Sequence, residues 1–235
     1  MLIKAFRERI RPYTWVRYMM QRGLMAGDEL WNSRRFFGQF GEDAMLSNLF
    51  RKKERGFYVE VGAFEPLLFS NSYWFYARGW RGICIEPNPE LFVRFRDRRP
   101  RDTVLNLAVS HAAGEADFLC SAAFSGIHDE SYTGPEHSGK EHLIKVKTLP
   151  LREILRAHVP SGINIDFMSV DCEGHDLSVL DSNDWSLFRP AFVLVEDHSG
   201  NPESPIVKRM RNWGYAFLCH MGLTTFFEDA EASSA

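Results

Sequence analysis

Apolar residues fall into two patterns along this chain. Short solid runs end on glycine, proline or an acid, and longer stretches repeat their apolar positions every three or four residues; the first predicts buried strands and the second amphipathic helices. The runs are FYVEV at 57–61, GICIE at 82–86, DTVLNLAV at 102–109, a run at 143–148, DFMSVD at 166–171, AFVLVE at 191–196, YAFLC at 215–219 and LTTFFE at 223–228. Between them the helical spacing recurs. Met45, Leu46, Leu49 and Phe50 predict a helix closed by Gly56, and Tyr73, Trp74 and Tyr76 predict one capped by Asn71 and ended by Gly79. Asn88 followed by Pro89 predicts a helix carrying Leu91, Phe92 and Phe95. Further helices are expected from Pro150 to His158, briefly between 171 and 191, and from Ile206 to Trp213.

Strands alternating with helices specify an α/β fold built on a mostly parallel sheet with helices on both faces. The last two runs lie too close for a crossover helix, so they should pair as an antiparallel hairpin. Residues 120–142 are rich in Gly, Ser, His and Glu with little periodicity, and are read as a loop that covers a substrate. The expected organisation is a basic helical arm over 1–37, a single domain over 38–229 and a disordered tail over 230–235.

Composition changes this picture little. Of 235 residues 45% are hydrophobic and 25% charged, which suits one soluble globular domain, and a net charge of −3 gives no reason to expect nucleic acid as a partner. The four cysteines, Cys84, Cys120, Cys172 and Cys219, form no zinc-ligand spacing and fit a reducing compartment. With no apolar run approaching the ~18 residues of a membrane span and no signal-peptide pattern, a cytoplasmic location is expected. The arm mixes Lys4, Arg7, Arg9, Arg11, Arg17 and Arg22 with Leu2, Ile3, Phe6, Ile10, Trp15, Val16 and Met19. That pattern fits peripheral contact of residues 1–25 with an anionic membrane, support of a homodimer, or a helix packed on the domain with a solvated outer face.

The candidate chemistry lies after the strands, where ligands of open parallel sheets sit. Strand ends there carry Glu60, Gly62 and Ala63; Glu86, Pro87 and Asn88; Asp171, Cys172, Glu173 and Gly174; and Glu196, Asp197 and His198. Gly62 allows close backbone approach to a ligand, and Glu86 is placed to accept hydrogen bonds from ribose hydroxyls. Ala63, Phe64, Glu65 and Pro66 follow Gly62, so the glycine cradle of a dinucleotide pyrophosphate is missing, and Glu60 with Glu65 would repel that group. The acids suit a cationic nucleoside instead. Asp171 is the first candidate for a general base, with Glu173 and His175 beside it and Glu196 and His198 across the cleft. Asp171 and Glu196 could also hold Mg²⁺ or another divalent ion, although acids at helix N-termini are favourable with no ligand at all. Cys172 reads as a small packed residue, and His128, His137 and His142 as solvent-exposed loop residues.

GQFGEDAML, GFYVEVGAFEP, FSNSYWFYARGWRGICIEPNP, RPRDTVLNLAVS and FMSVDCEGHDLSVL stand here in an order and spacing that resembles the FkbM-type methyltransferases, over roughly residues 38–228. The resemblance implies a class I methyltransferase fold, Rossmann-like, with a seven-stranded sheet. It implies S-adenosylmethionine as methyl donor and O-methylation of a sugar, glycan or natural-product hydroxyl. By position, Glu60, Gly62 and Ala63 would line the methionine part of the cofactor, Glu86 the ribose, and Asn106 with Ala108 the adenine, with Pro87 also at the cofactor. Gln39, Glu42, Asp43, Ser70 and Asn71 would complete the pocket, with Asp171, Glu173 and His198 as catalytic candidates. Phe64 and Glu65 depart from the pattern, where relatives often carry His or a small polar pair. An N- or carboxyl-methyltransferase on a small molecule or lipid shares all these cofactor residues. A non-catalytic scaffold of the same fold and an NAD-dependent oxidoreductase are the remaining rivals, disfavoured by the intact strand-end acids and by the missing glycines.

Overall fold

The computed structural model describes residues 36–120, 125–128 and 142–231. The arm expected over 1–37 therefore lies outside the described residues except for Phe36 and Phe37, as do the end of the tail and most of the 120–142 segment. In chain order the elements are α1 Glu42–Leu49, β1 Phe57–Val61, α2 Tyr73–Tyr76, β2 Arg81–Ile85, α3 Pro89–Arg98, β3 Thr103–Leu105, β4 Ala108–Val109, β5 Gly114–Cys120, β6 Gly126–Ile127, β7 His142–Leu149, α4 Leu151–His158, β8 Phe167–Val170, α5 Asp176–Asp181, β9 Phe192–Glu196, α6 Pro205–Asn212, β10 Tyr215–Met221 and β11 Thr224–Asp229.

Seven strands form the main sheet in the order β10-β11-β9-β8-β1-β2-β3. The pairs β9-β8, β8-β1, β1-β2 and β2-β3 are parallel, and β11 runs antiparallel to both neighbours. The central strands bury both faces, so their side chains alternate between two cores rather than between core and water. Val59, Val61, Ile83, Ile85, Met168, Val170, Val193 and Val195 point to one side and pack with Leu151, Leu155, Leu180, Val207 and Met210 of α4, α5 and α6. Tyr58, Cys84, Phe167, Leu194 and Phe226 point to the other and pack with Leu46, Phe75, Tyr76 and Phe95 of α1, α2 and α3 and with Trp80. The class I methyltransferase architecture expected from the sequence is the one observed, including the C-terminal hairpin.

Five details differ. The run 102–109 is not one strand. It breaks at Asn106, whose amide donates to the carbonyls of Glu86 and Pro87 at 2.9 and 2.8 Å, and Ala108–Val109 then leaves for a second sheet of order β4-β7-β5-β6. That sheet takes in the strand expected at 143–148, adds β5, and places β6 inside the segment read as irregular loop. The first helix stops at Leu49, and Gly56 serves close packing instead, since a Cβ there would collide with Asp166 and Trp80. Asn71 does not cap α2; Ser70 Oγ accepts from Tyr73 N at 3.1 Å. By contrast Asn88 caps α3 as expected, accepting from Glu90 N at 2.9 Å, and Gly79 ends the α2 turn with φ 91°. Ala230 N still bonds Gly214 O at 3.1 Å, so order extends into the segment expected as tail.

Candidate active site

A cleft opens at the carboxyl ends of β1, β2, β8 and β9, bordered on the second-sheet side by Phe118, Gly126 and Ile127. Of the residues singled out by sequence, Gln39, Glu60, Gly62, Ala63, Asn71, Glu86, Pro87, Ala108, Asp171, Glu173, Glu196 and His198 all border it. Asp43, Ser70 and Asn106 stand behind it as supports. Asp43 accepts from Phe37 N and Gly38 N at 2.6 and 3.1 Å and so folds the turn that carries Gln39. Glu42 does the same for Phe40 N at 2.9 Å and also accepts from Thr224 Oγ1 of β11 at 3.1 Å.

Gly62 takes φ 74°, and its N–H and that of Ala63 both donate to Ile85 O, at 3.1 and 3.0 Å. Those two amides are therefore not free to cradle a phosphate, which gives the missing dinucleotide motif a structural counterpart. The turn that follows is held by Glu86. One of its carboxylate oxygens accepts from Phe64 N and the other from Asn88 N, each at 2.7 Å. Two lone pairs are so used, and the remainder stay available for ribose hydroxyls. Burial pushes the Glu86 carboxyl up to about 8, against the pull of those two N–H groups.

Glu60 behaves differently from expectation in one respect. It reaches the cleft border, but its carboxylate is taken up inside the protein by Asn71 N at 2.9 Å, Ser70 Oγ at 3.2 Å and Ser72 Oγ at 2.5 Å. Asn71 in turn donates from Nδ2 to Ser169 Oγ at 3.0 Å, while its Oδ1 is buried with no hydrogen-bond donor among the described residues. An orphaned buried acceptor of this kind costs roughly 1–3 kcal/mol and is ready for a ligand N–H or ammonium. The Glu86 carboxylate, the Asn71 acceptor and an acidic floor together suit a cationic nucleoside such as S-adenosylmethionine.

That floor is made by Asp171, Glu173, Asp176, Glu196 and His198. Asp171 ends β8 and Glu196 ends β9; both open onto the cleft, and the two carboxyls face each other. Glu196 Oε2 is buried with no donor from the described residues, and its Oε1 lies 3.0 Å from Nε2 of the exposed His198. Burial first, and then the Asp171 charge, push Glu196 up to about 10, and burial raises Asp171 as well. The pair therefore keeps one proton between its two carboxyls at neutral pH. Burial together with Asp171 also brings Glu173 and Asp176 to about 7. Asp176 is a support that sequence reading missed: it accepts from Cys172 N at 3.0 Å and Gly174 N at 3.2 Å, fixing the turn on which Glu173 sits. Its place two residues after a glycine was the available signal. Cys172 borders the cleft with its thiol pushed up, chiefly by burial, which leaves it protonated. Among the described residues no three carboxylate, imidazole or thiol groups converge as a metal site would require.

Backbone strain marks the same place. Among the described residues the non-glycine positions with left-handed φ are Phe64 at 52°, Phe69 at 59° and Glu173 at 51°, and each borders the cleft. Such conformations cost about 1–3 kcal/mol each and persist where the surroundings dictate them. Phe69 was not marked by sequence, and Phe64 only as a departure from the family pattern. Their rings lie nearly parallel, 12° apart in tilt with centroids separated by 6.5 Å.

Comparison with known proteins bears on this site. The chain is similar to the hexuronic acid methyltransferase AglP of Haloferax volcanii, with 30% identity over 131 residues, 54% of this chain and 51% of that protein. It thus spans about half the length of that curated relative. Among solved structures, it resembles an O-methyltransferase from Bacillus cereus in complex with SAH, at 11% identity and TM-score 0.42, covering 80% of each chain. It also resembles a methyltransferase from Geobacter sulfurreducens, at 12% identity and TM-score 0.44, covering 96% of this chain and 95% of the other. The family model of the FkbM methyltransferase domain matches residues 60–217, which takes in the strand-end acids from Glu60 to Glu196. The chain belongs to the FkbM methyltransferase family.

Proposed function

We propose that this protein transfers a methyl group from S-adenosylmethionine to a hydroxyl of a sugar or glycan precursor. The carboxyl pair of Asp171 and Glu196 at the strand ends, facing Glu86 and Asn71 in one cleft, carries the reading. The cofactor supplies an electrophilic methyl group on a sulfonium. What the chain must add is a place for the acceptor oxygen and a destination for its proton.

Asp171 is the base. Glu196 is engaged by His198 at 3.0 Å, which leaves Asp171 as the member of the pair to take the hydroxyl proton. His198, exposed and 3.0 Å from Glu196, offers that proton a way to water. Glu173 adds negative potential beside the pair, and Asp176 keeps it in place. A carboxylate acceptor fits less well, because four acids crowd this floor and would repel a second anion. The name of the curated relative, a hexuronic acid methyltransferase, supports a sugar acid as the acceptor class. The crowding then favours a ring hydroxyl over the carboxyl group as the position modified.

Titration calorimetry with S-adenosylmethionine, S-adenosylhomocysteine and NADH, each with Mg²⁺ and with EDTA, tests the cofactor. Binding of the first two is expected and of NADH is not. Methyl transfer to glucuronic acid, its methyl ester and a neutral hexose then tests the acceptor. Methylation of the glucuronic acid carboxyl, or of an amino sugar nitrogen in preference to any hydroxyl, would overturn the O-methyl assignment.

A further inference from the structure

Arg99, just past the end of α3, is fully buried beneath the cleft, and nothing in the reaction proposed above requires it. Its guanidinium lies 5.2–5.6 Å from the ring centroids of Tyr58, Tyr76 and Phe95. Every edge of the fork is engaged. Nε donates to Asp102 Oδ2 at 2.8 Å; Nη2 donates to Tyr58 OH at 3.0 Å and to Ser72 Oγ at 2.6 Å. Nη1 donates to Ser70 Oγ at 3.1 Å, to Pro66 O at 3.4 Å and to Glu60 Oε2 at 3.5 Å. Three of these acceptors, Pro66, Ser70 and Ser72, belong to one loop. That loop also carries Phe69, with its strained φ of 59°, and Asn71, with its orphaned Oδ1, both at the border of the cleft.

We infer that Arg99 is a positioning residue for the cofactor site: its buried guanidinium fixes the Pro66–Ser72 loop from below and so sets where Asn71 and Phe69 stand. The inference rests on the cofactor reading given above. Charge neutralisation alone would not need this geometry, since a point charge between Glu60 and Asp102 balances two buried acids equally well. The planar fork holds two serine hydroxyls and a carbonyl at once, which an ammonium group on a single stem cannot reproduce. The loop conformation is costly by itself, with Phe69 in the left-handed region and Glu60 withdrawn from water. Without the fork it would relax, and Asn71 would lose its register with Ser169.

Arg99→Lys separates the two roles, because it keeps the charge and removes the fork. Affinity for S-adenosylhomocysteine, read by calorimetry, is expected to fall about tenfold or more. Ser72→Ala, which removes one acceptor of the fork while Arg99 stays paired with Glu60 and Asp102, is expected to weaken binding several-fold. Asp229→Asn serves as the control for general destabilisation, since it breaks the Arg189 pair at the far side of the sheet. It should lower the melting temperature and leave affinity unchanged. Wild-type affinity in Arg99→Lys, or a loss in Asp229→Asn equal to that in Arg99→Lys at matched melting temperature, overturns the inference. If Arg99→Lys does not fold, Ser72→Ala combined with Ser70→Ala decides it by the same readout: weakened binding supports the inference and unchanged binding overturns it. Wild-type protein that binds neither S-adenosylmethionine nor S-adenosylhomocysteine removes the cofactor reading and the inference with it.

Discussion

Gly62 and Asp171 meet backbone to backbone: a Cβ placed on Gly62 would collide with the carbonyl oxygen of Asp171. The first strand of the sheet and the strand bearing the proposed base are thus set side by side at their tips, continuing the register in which Val61 pairs with Val170. Gly62→Ala must either push Asp171 away or break the positive φ of the turn. A loss of roughly 2–4 kcal/mol in unfolding free energy is expected. Urea denaturation measures it, and a variant with the wild-type midpoint would contradict the packing described.

Asp171→Asn removes the base and is expected to lower turnover about 10²- to 10⁴-fold while S-adenosylhomocysteine still binds within a few-fold of wild type. Glu196→Gln keeps a neutral side chain opposite Asp171, as a pair that shares one proton already does, so turnover should stay within about tenfold of wild type. Initial rates and calorimetry on the two variants check this. If Glu196→Gln is as inactive as Asp171→Asn, the roles within the pair are reversed.

Glu86→Ala should weaken S-adenosylhomocysteine binding about 10- to 100-fold, the value of two hydrogen bonds to ribose hydroxyls. It also strips Phe64 N and Asn88 N of their acceptor, so a modest fall in melting temperature accompanies it. Unchanged affinity would move the nucleoside away from β2.

Stability should fall as pH rises from 5 to 8. Burial brings the carboxyls of Asp43 to about 6, Glu173 and Asp176 to about 7, Glu86 to about 8 and Glu196 to about 10, all above their ordinary values near 4. In that window the folded protein holds protons that the unfolded chain has released, so each group favours folding below its unfolded pKa and ceases to do so above its folded one. Urea midpoints at pH 5.5 and pH 8.0 read the difference. A higher midpoint at pH 8.0 runs against it.

The sheet was legible because its central strands bury both faces and so stand out as unbroken apolar runs: FYVEV and AFVLVE leave little else to be. Strand-end acids were legible for the same reason, as abrupt stops to those runs. Local signals misled where tertiary contacts took over the residue. Asn71 has the chemistry of a helix cap, but its amide is drawn to Ser169, ninety-eight positions along the chain. Asn106 sits inside an apolar run that its own hydrogen bonds interrupt. Glu60 reads as a ligand-binding acid, and only the fold brings Ser70, Ser72 and Arg99 to its carboxylate. Arg99 had no signal of its own, since RDRRPR at 96–101 looks like a solvated basic stretch. The left-handed φ of Phe64 and Phe69 has none either, because bulky residues give no local reason to adopt it.

Strand β11 follows β10 in the chain yet lies between β10 and β9. During synthesis β9 therefore emerges with an unpaired edge, and β10 cannot cover it in the native arrangement. The main sheet closes only once residues through Asp229 have left the ribosome, so until then the nascent chain presents the row of amides and carbonyls along Phe192–Glu196. At ordinary elongation speeds of roughly 5–20 residues per second, that exposure lasts seconds. A stall anywhere between residues 197 and 229 prolongs it, so translation rate through that stretch sets how long the β9 edge is open to aggregation.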